Sequence, residues 1–164
     1  MAADLSYAPK IHKTDGGDAL IFESGSIVAA ASASVSSPRL SLRARVATAN
    51  VNAGATLLPA LPGYKYRLVD CRALAYGGAA AGVTTVDILG IQSAASVKLV
   101  ALAQASLTQS ALLTAGGAGA AILADGASFV SCDANTPITI GITGSSMTTA
   151  TGIDVLLGYT IEKV

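Results

Sequence analysis

The residues able to do chemistry are few and scattered along the chain. His12 is the only histidine, so a Ser/His/Asp triad could form only around it. It falls in a leading segment that reads as an extended arm, where neither a triad nor a metal site would be held in fixed geometry. The carboxylates Asp70, Asp87, Asp125, Asp133 and Asp154 are spread over separate predicted elements. None belongs to the alternating acidic loop that calcium sites use, which marks them as turn and surface residues. Gly77-Gly78 and Gly116-Gly117 invite a phosphate-cradle reading, but neither precedes a Lys-Ser/Thr pair or sits in a βαβ unit, and both read as hairpin glycines. Cys71 and Cys132 lie in predicted strands without CxxC spacing, as expected of buried thiols acting as small hydrophobes. With no acid/base set, cofactor motif or metal-ligand spacing, the expectation is a protein that is not an enzyme and uses no cofactor.

The charged feature with a regular spacing is a stripe of arginines. Arg39-Leu40-Ser41-Leu42-Arg43-Ala44-Arg45-Val46-Ala47 alternates strictly, which puts Leu40, Leu42, Ala44 and Val46 on one face of a strand and Arg39, Ser41, Arg43 and Arg45 on the other. One face is expected to be buried and the other basic. No aromatic residues interleave with the arginines and no longer basic run exists, so the stripe is read as a solvated or protein-interface face rather than a nucleic-acid site.

The elements that must position these residues are strands. Tyr64 to Tyr76 is the clearest: Tyr64, Tyr66, Leu68, Asp70 and Arg72 point one way and Lys65, Arg67, Val69, Cys71, Ala73 and Ala75 the other, so a bulge or twist near Asp70 must reconcile the two apolar sets. Before it, Pro59 and Pro62 cannot donate ladder hydrogen bonds and favour an edge or a bend. Further strands are predicted over 83–91, 97–102, 138–143 and 153–161, with Val83, Thr85, Asp87, Leu89 and Ile91 sharing one side of the first. Gly116 to Gly119 and Asp125-Gly126 supply turns around Ala120 to Leu123. Over 103–114 the spacing of Gln104, Leu107, Ala111 and Leu112 leaves a short helix and a strand both open. Short strands separated by Gly/Asn/Asp turns predict an all-β fold, an antiparallel β-sandwich or a jelly-roll-like body spanning residues 39–164.

Residues 1–38 read differently. Asp15-Gly16-Gly17-Asp18 is a turn signal between short apolar runs, and the Ala/Ser-rich stretch 29–38 reads as a linker. This N-terminal arm carries too little apolar surface to fold alone and is expected to become ordered against a neighbour.

Composition points the same way. The chain is 52% hydrophobic but only 4% aromatic and 12% charged, about half the usual charged fraction. Its apolar content is therefore small side chains, which permit close approach and lose little entropy on burial, and large weakly polar patches imply partners. Mean hydropathy is +0.59, yet no unbroken apolar run reaches the length of a spanning helix, so no membrane partner is expected. The start Met1-Ala2-Ala3-Asp4-Leu5-Ser6-Tyr7 lacks a secretion-signal pattern, which predicts synthesis in a cytoplasm. The charge is split: residues 1–98 hold nine Lys/Arg against six Asp/Glu and residues 99–164 hold one against four, a division that would suit contact between subunits.

Leu57 to Asp70, Gly77 to Ile88, Ala124 to Phe129 and the closing Ile153-Asp154-Val155 together resemble small virion proteins of tailed bacteriophages, the capsid decoration (cement) and head-fibre proteins. Thr14 to Asp18 with Ser24 to Ile27 is similar to their leading segment. The resemblance implies a body on the outer surface of the phage head that bridges copies of the major capsid protein, stabilises the expanded capsid and self-associates, most simply as a homotrimer. Made in a host bacterial cytoplasm, the protein would contact the capsid or a neighbour through Tyr7, Ile11, Asp15, Gly16, Gly17, Asp18, Leu20, Phe22 and Ile27 of the arm, and Arg39, Arg43 and Arg45 of the body. The other function considered is a tail, fibre or baseplate component that binds a host receptor. That reading predicts exposed aromatic residues for sugar stacking, and the chain has no Trp and two Phe.

Overall fold

A computed structural model describes residues 11–13, 20–22, 39–122 and 130–164. The chain divides into two compact units, Met1–Ser36 and Ser37–Val164. In the first, β1 (Ile11–Lys13) and β2 (Leu20–Phe22) pair antiparallel, Ile11 opposite Phe22 and Lys13 opposite Leu20. The predicted turn Asp15-Gly16-Gly17-Asp18, the contact residues Tyr7 and Ile27, the linker 29–38 and the Asp125-Gly126 turn lie outside the described residues.

The second unit is an antiparallel β-sandwich. Its elements are β3 (Leu40–Ala47), α1 (Thr48–Ala53), β4 (Thr56–Leu58), β5 (Tyr64–Tyr76), β6 (Ala81–Gln92), β7 (Ala95–Ala103), β8 (Leu113–Thr114), β9 (Ala120–Ile122), β10 (Ile138–Thr148) and β11 (Gly152–Lys163). One sheet has the order β3-β11-β5-β8 and the other β4-β10-β6-β7-β9. The pairs β3–β11, β4–β10, β5–β8 and β6–β7 nest like one antiparallel ribbon with its tip at the β6–β7 turn. Folded over so that β11 also meets β5 and β10 meets β6, that ribbon is a jelly roll with β9 appended to one edge. Chain connections therefore run mostly from sheet to sheet. Gly77-Gly78 links β5 to β6 and Gly116-Gly117 links β8 to β9, in each case between different sheets, so these are crossover turns and not the hairpin glycines that the sequence suggests.

Phase shifts along the long strands decide which face each residue shows. In β5, Gly158 stands opposite Asp70 and Tyr159 opposite Leu68, which leaves Val69 as an extra residue. The bulge moves the inward set from Tyr66 and Leu68 to Cys71, Ala73 and Ala75, all buried. A similar step in β6, where Thr143 faces Thr85 and Gly144 faces Val83, puts Val83 inward with Val86 and Ile88. The simple alternation predicted for this strand, with Val83 beside Thr85 and Asp87, is thereby corrected. Inward residues of both sheets, among them Leu68, Ile88, Leu99, Leu102, Ile140, Ile153 and Leu157, form one hydrophobic core.

Residues 103–114 form neither of the two predicted elements over their length. Ala103 ends β7, a single 3-10 turn covers Gln104–Ser106, and only Leu113–Thr114 pair as a strand. Cys132 is buried as expected but lies outside any strand, its N–H donating to the Tyr66 carbonyl at 2.7 Å. The tip of the ribbon is a two-residue turn, Ser93-Ala94, with φ of 51° and 61°. Two left-handed residues are what a hairpin turn of this kind needs, yet Asn-Gly is the usual sequence. Here the Asp133 carboxylate accepts both turn amides, from Ser93 at 3.1 Å and Ala94 at 2.7 Å.

Candidate functional site

The arginine stripe lies on the outward face of the four-stranded sheet. Register fixes its neighbours: Arg45 stands beside Asp154, which stands beside Leu74; Arg43 stands beside Leu156, which stands beside Arg72; Ser41 stands beside Gly158, which stands beside Asp70. These side chains come from segments far apart in sequence, and the strands alone bring them to one surface.

The three predicted arginines have different roles there. Arg39, just before β3, reaches over Gly158 to Asp70, Nη2 to Oδ2 at 2.8 Å, and Arg72 approaches the same oxygen at 3.5 Å. A side chain at Gly158 would meet the Arg39 guanidinium, so the absence of a Cβ is what lets the arginine lie flat. Arg45 binds Asp154 through two bonds of 2.7 Å and lies 4.5 Å over the Tyr76 ring. This bidentate contact holds the Asp154 carboxyl below its ordinary range and raises Arg45, each through the shared hydrogen bonds first. Arg43 makes no ion pair among the described residues.

Between these charges the face is apolar. Leu156 is 38% exposed although two arginines flank it, and Leu112, at 59%, stands on the far side. Arg43, Arg72, Leu74, Leu112, Asp154, Val155 and Leu156 line a shallow groove of about 290 Å³. The groove has an exposed leucine floor, with Arg43, Arg72 and the Arg45-bound Asp154 carboxylate at its walls, a mixed apolar and charged surface of the kind that protein interfaces use. Leu112, Leu156 and Arg72 were not legible as parts of a site. The bulge at Val69 is the one sequence signal that turns Arg72 to this face.

A second polar cluster lies on the outward face of the five-stranded sheet. Asp87, read from sequence as a surface carboxylate, is 1% exposed. Gly141 and Ala101 flank it across the sheet and leave room for longer side chains to close over it. Thr143 Oγ1 donates to Asp87 Oδ2 at 2.6 Å, and Lys98 Nζ lies 3.1 Å from the same oxygen. Lys98 also donates to Thr143. The hydroxyl commits its proton to Asp87, and the carboxylate holds the ammonium, so the cluster contains no free base beside a free nucleophile. Asp87 Oδ1 and Thr85 Oγ1 are buried without partners. Burial also pushes the Cys71 thiol up to about 12 and Cys132 to about 11, far from thiolate chemistry at neutral pH. Among the described residues no three of His, Cys, Asp and Glu gather as metal ligands would, and no helix is long and apolar enough to cross a membrane.

The predicted contact residues thus divide. Arg39, Arg43 and Arg45 share one face, while Ile11, Leu20 and Phe22 lie in the β1–β2 pair of the other unit. Asp15, Gly16, Gly17 and Asp18, like Tyr7 and Ile27, are outside the described residues. No family description, curated protein or solved structure matches the chain.

Proposed function

We propose that the protein is a virion structural subunit, a capsid decoration protein that binds the outside of a tailed-phage head and stabilises the expanded shell. The observation that carries this reading is the outward face on which Leu156 stands exposed between Arg43 and Arg72, a surface suited to being covered by another protein. The fold supports it: jelly rolls recur in viral capsid proteins, though also in lectins and enzymes, so topology adds weight without choosing. The low charge and the small side chains of the chain favour close packing against neighbours in a repeated lattice.

The mechanism follows from linkage. A clamp that binds the expanded lattice and not the unexpanded one lowers the free energy of the expanded state by its binding energy at every copy. Modest contacts suffice when many act together, and a homotrimer would join three at once. In this reading the partner is the major capsid protein, the arm residues Tyr7 to Ile27 form a tether, and the arginine face of the body supplies a second contact. Mixing the full chain with expanded, undecorated heads and sedimenting them tests it, with stoichiometric capture expected. Attachment to tails or to host cells instead would favour the receptor-binding function.

A further inference from the structure

We propose that the outer edge of β3, which has no second strand partner among the described residues, takes up an extended strand from a partner protein, with a carboxylate of that strand facing Arg43 and apolar residues on either side of it. This deepens the capsid reading and rests on it for the source of the strand.

Where β8 and β4 are too short to run along the whole of β5 and β10, loop and helix segments bond to those strands instead. Along β5, Asn135 and Cys132 donate to the carbonyls of Tyr64 and Tyr66, Ala115 donates to Cys71, and Ala75 donates to Thr108. Along β10, Ile140 donates to the Ala55 carbonyl and Met147 to the Asn52 side chain. By contrast, β3 pairs with β11 over eight residues without a register shift and has no second partner among the described residues. An edge of this length that no other described residue pairs with is a template for another strand.

The inward side of β3 is also incompletely covered. Val46 is buried, Leu42 and Ala44 are half-buried, and Leu40 is 37% exposed. Next door in β11, Val155 and Leu157 are fully buried. The apolar row of the edge strand therefore ends in a gap that apolar residues of an added strand would close.

Charge then selects the partner. Two β3 strands pairing antiparallel must put outward residues opposite outward residues, which sets Arg43 against Arg43, Arg43 against Arg45, or Arg45 against Arg39 in the central registers. Like charges directly opposite are destabilising, so a second copy of β3 is a poor occupant. Arg45 is held by Asp154 and Arg39 by Asp70. Arg43 makes no ion pair among the described residues, although its charge also acts on Asp154, and a carboxylate facing it would complete the row that runs Arg43, Leu156, Arg72.

The test uses the full chain and a labelled heptapeptide alternating valine and glutamate, compared with the same peptide carrying lysine in place of glutamate, read by fluorescence anisotropy. We expect the glutamate peptide to bind about tenfold more tightly, Arg43→Glu to reverse the preference, and N-methylation along one edge of the peptide to abolish binding while the other edge tolerates it. Equal binding of the two peptides, an unchanged preference in Arg43→Glu, or indifference to N-methylation at both edges would overturn the inference. Capture by heads that Arg43→Glu leaves intact would remove the edge and spare the capsid reading. The predicted peptide preference without capture would do the reverse.

Discussion

Arg45 grips Asp154 across the β3–β11 pairing with two parallel bonds, Nε to Oδ1 and Nη2 to Oδ2, each 2.7 Å long. The guanidinium ties the edge strand to its neighbour and covers Tyr76, while Arg43 makes no ion pair among the described residues.

That contact gives the stability a pH dependence. Asp154 is held below its ordinary value of 3.8 chiefly by the Arg45 hydrogen bonds. A depressed carboxyl stabilises the fold in full above its unfolded pKa and loses that contribution as pH falls through the lower folded value. Asp154→Asn should therefore lower the urea midpoint at neutral pH, and the gap to the parent should close as pH drops below about 4. A gap that stays constant with pH would contradict the role given to Arg45.

Two glycines of β11 should respond differently to the same methyl group. At Gly152 a Cβ would collide with the Val46 carbonyl and the Tyr76 ring, neither of which can yield easily. At Gly158 its nearest neighbours would be atoms of the Arg39 guanidinium, the end of a flexible side chain. Thermal unfolding should show Gly152→Ala losing roughly 3 kcal/mol, and Gly158→Ala well under half of that.

Adjacent leucines separate folding from binding. Leu157 is fully buried and Leu156 is 38% exposed. Leu157→Ala should cost roughly 2–5 kcal/mol in chemical denaturation. Leu156→Ala should leave the midpoint nearly unchanged and, under the proposed capsid role, weaken capture by expanded heads.

The Ser93-Ala94 turn carries removable strain. Both residues are left-handed, a conformation that disfavours a side chain by roughly 1–2 kcal/mol. Ala94→Gly should raise the unfolding midpoint, whereas Asp133→Ala, which deprives both turn amides of their acceptor, should lower it. Paired denaturation curves check both signs.

Much of the body is legible in the sequence because its signals are local. The strand Tyr64–Tyr76 and its bulge near Asp70 can be read where the apolar alternation changes phase between Leu68 and Cys71. The β6–β7 hairpin tip lacks Gly and Asn, and its stabilising carboxylate comes from Asp133, 40 residues from Ser93, so no nearby residue announces it. Asp87 looks like a surface residue because alternation turns it outward. Its polar partners Lys98 and Thr143 and its small cross-strand neighbours Gly141 and Ala101 all come from other strands. The candidate face is half legible for the same reason: period two reveals the arginines, whereas Leu156 and Arg72 reach them only through the pairing of three strands.

The proposed capsid role stands or falls on stoichiometric binding of the full chain to expanded, undecorated phage heads, measured by co-sedimentation with the parent and Leu156→Ala proteins side by side. Saturable capture of the parent is expected, reduced for Leu156→Ala at equal stability. A parent protein that stays in the supernatant at every concentration, or one captured no better than an unrelated protein of similar charge, would contradict it.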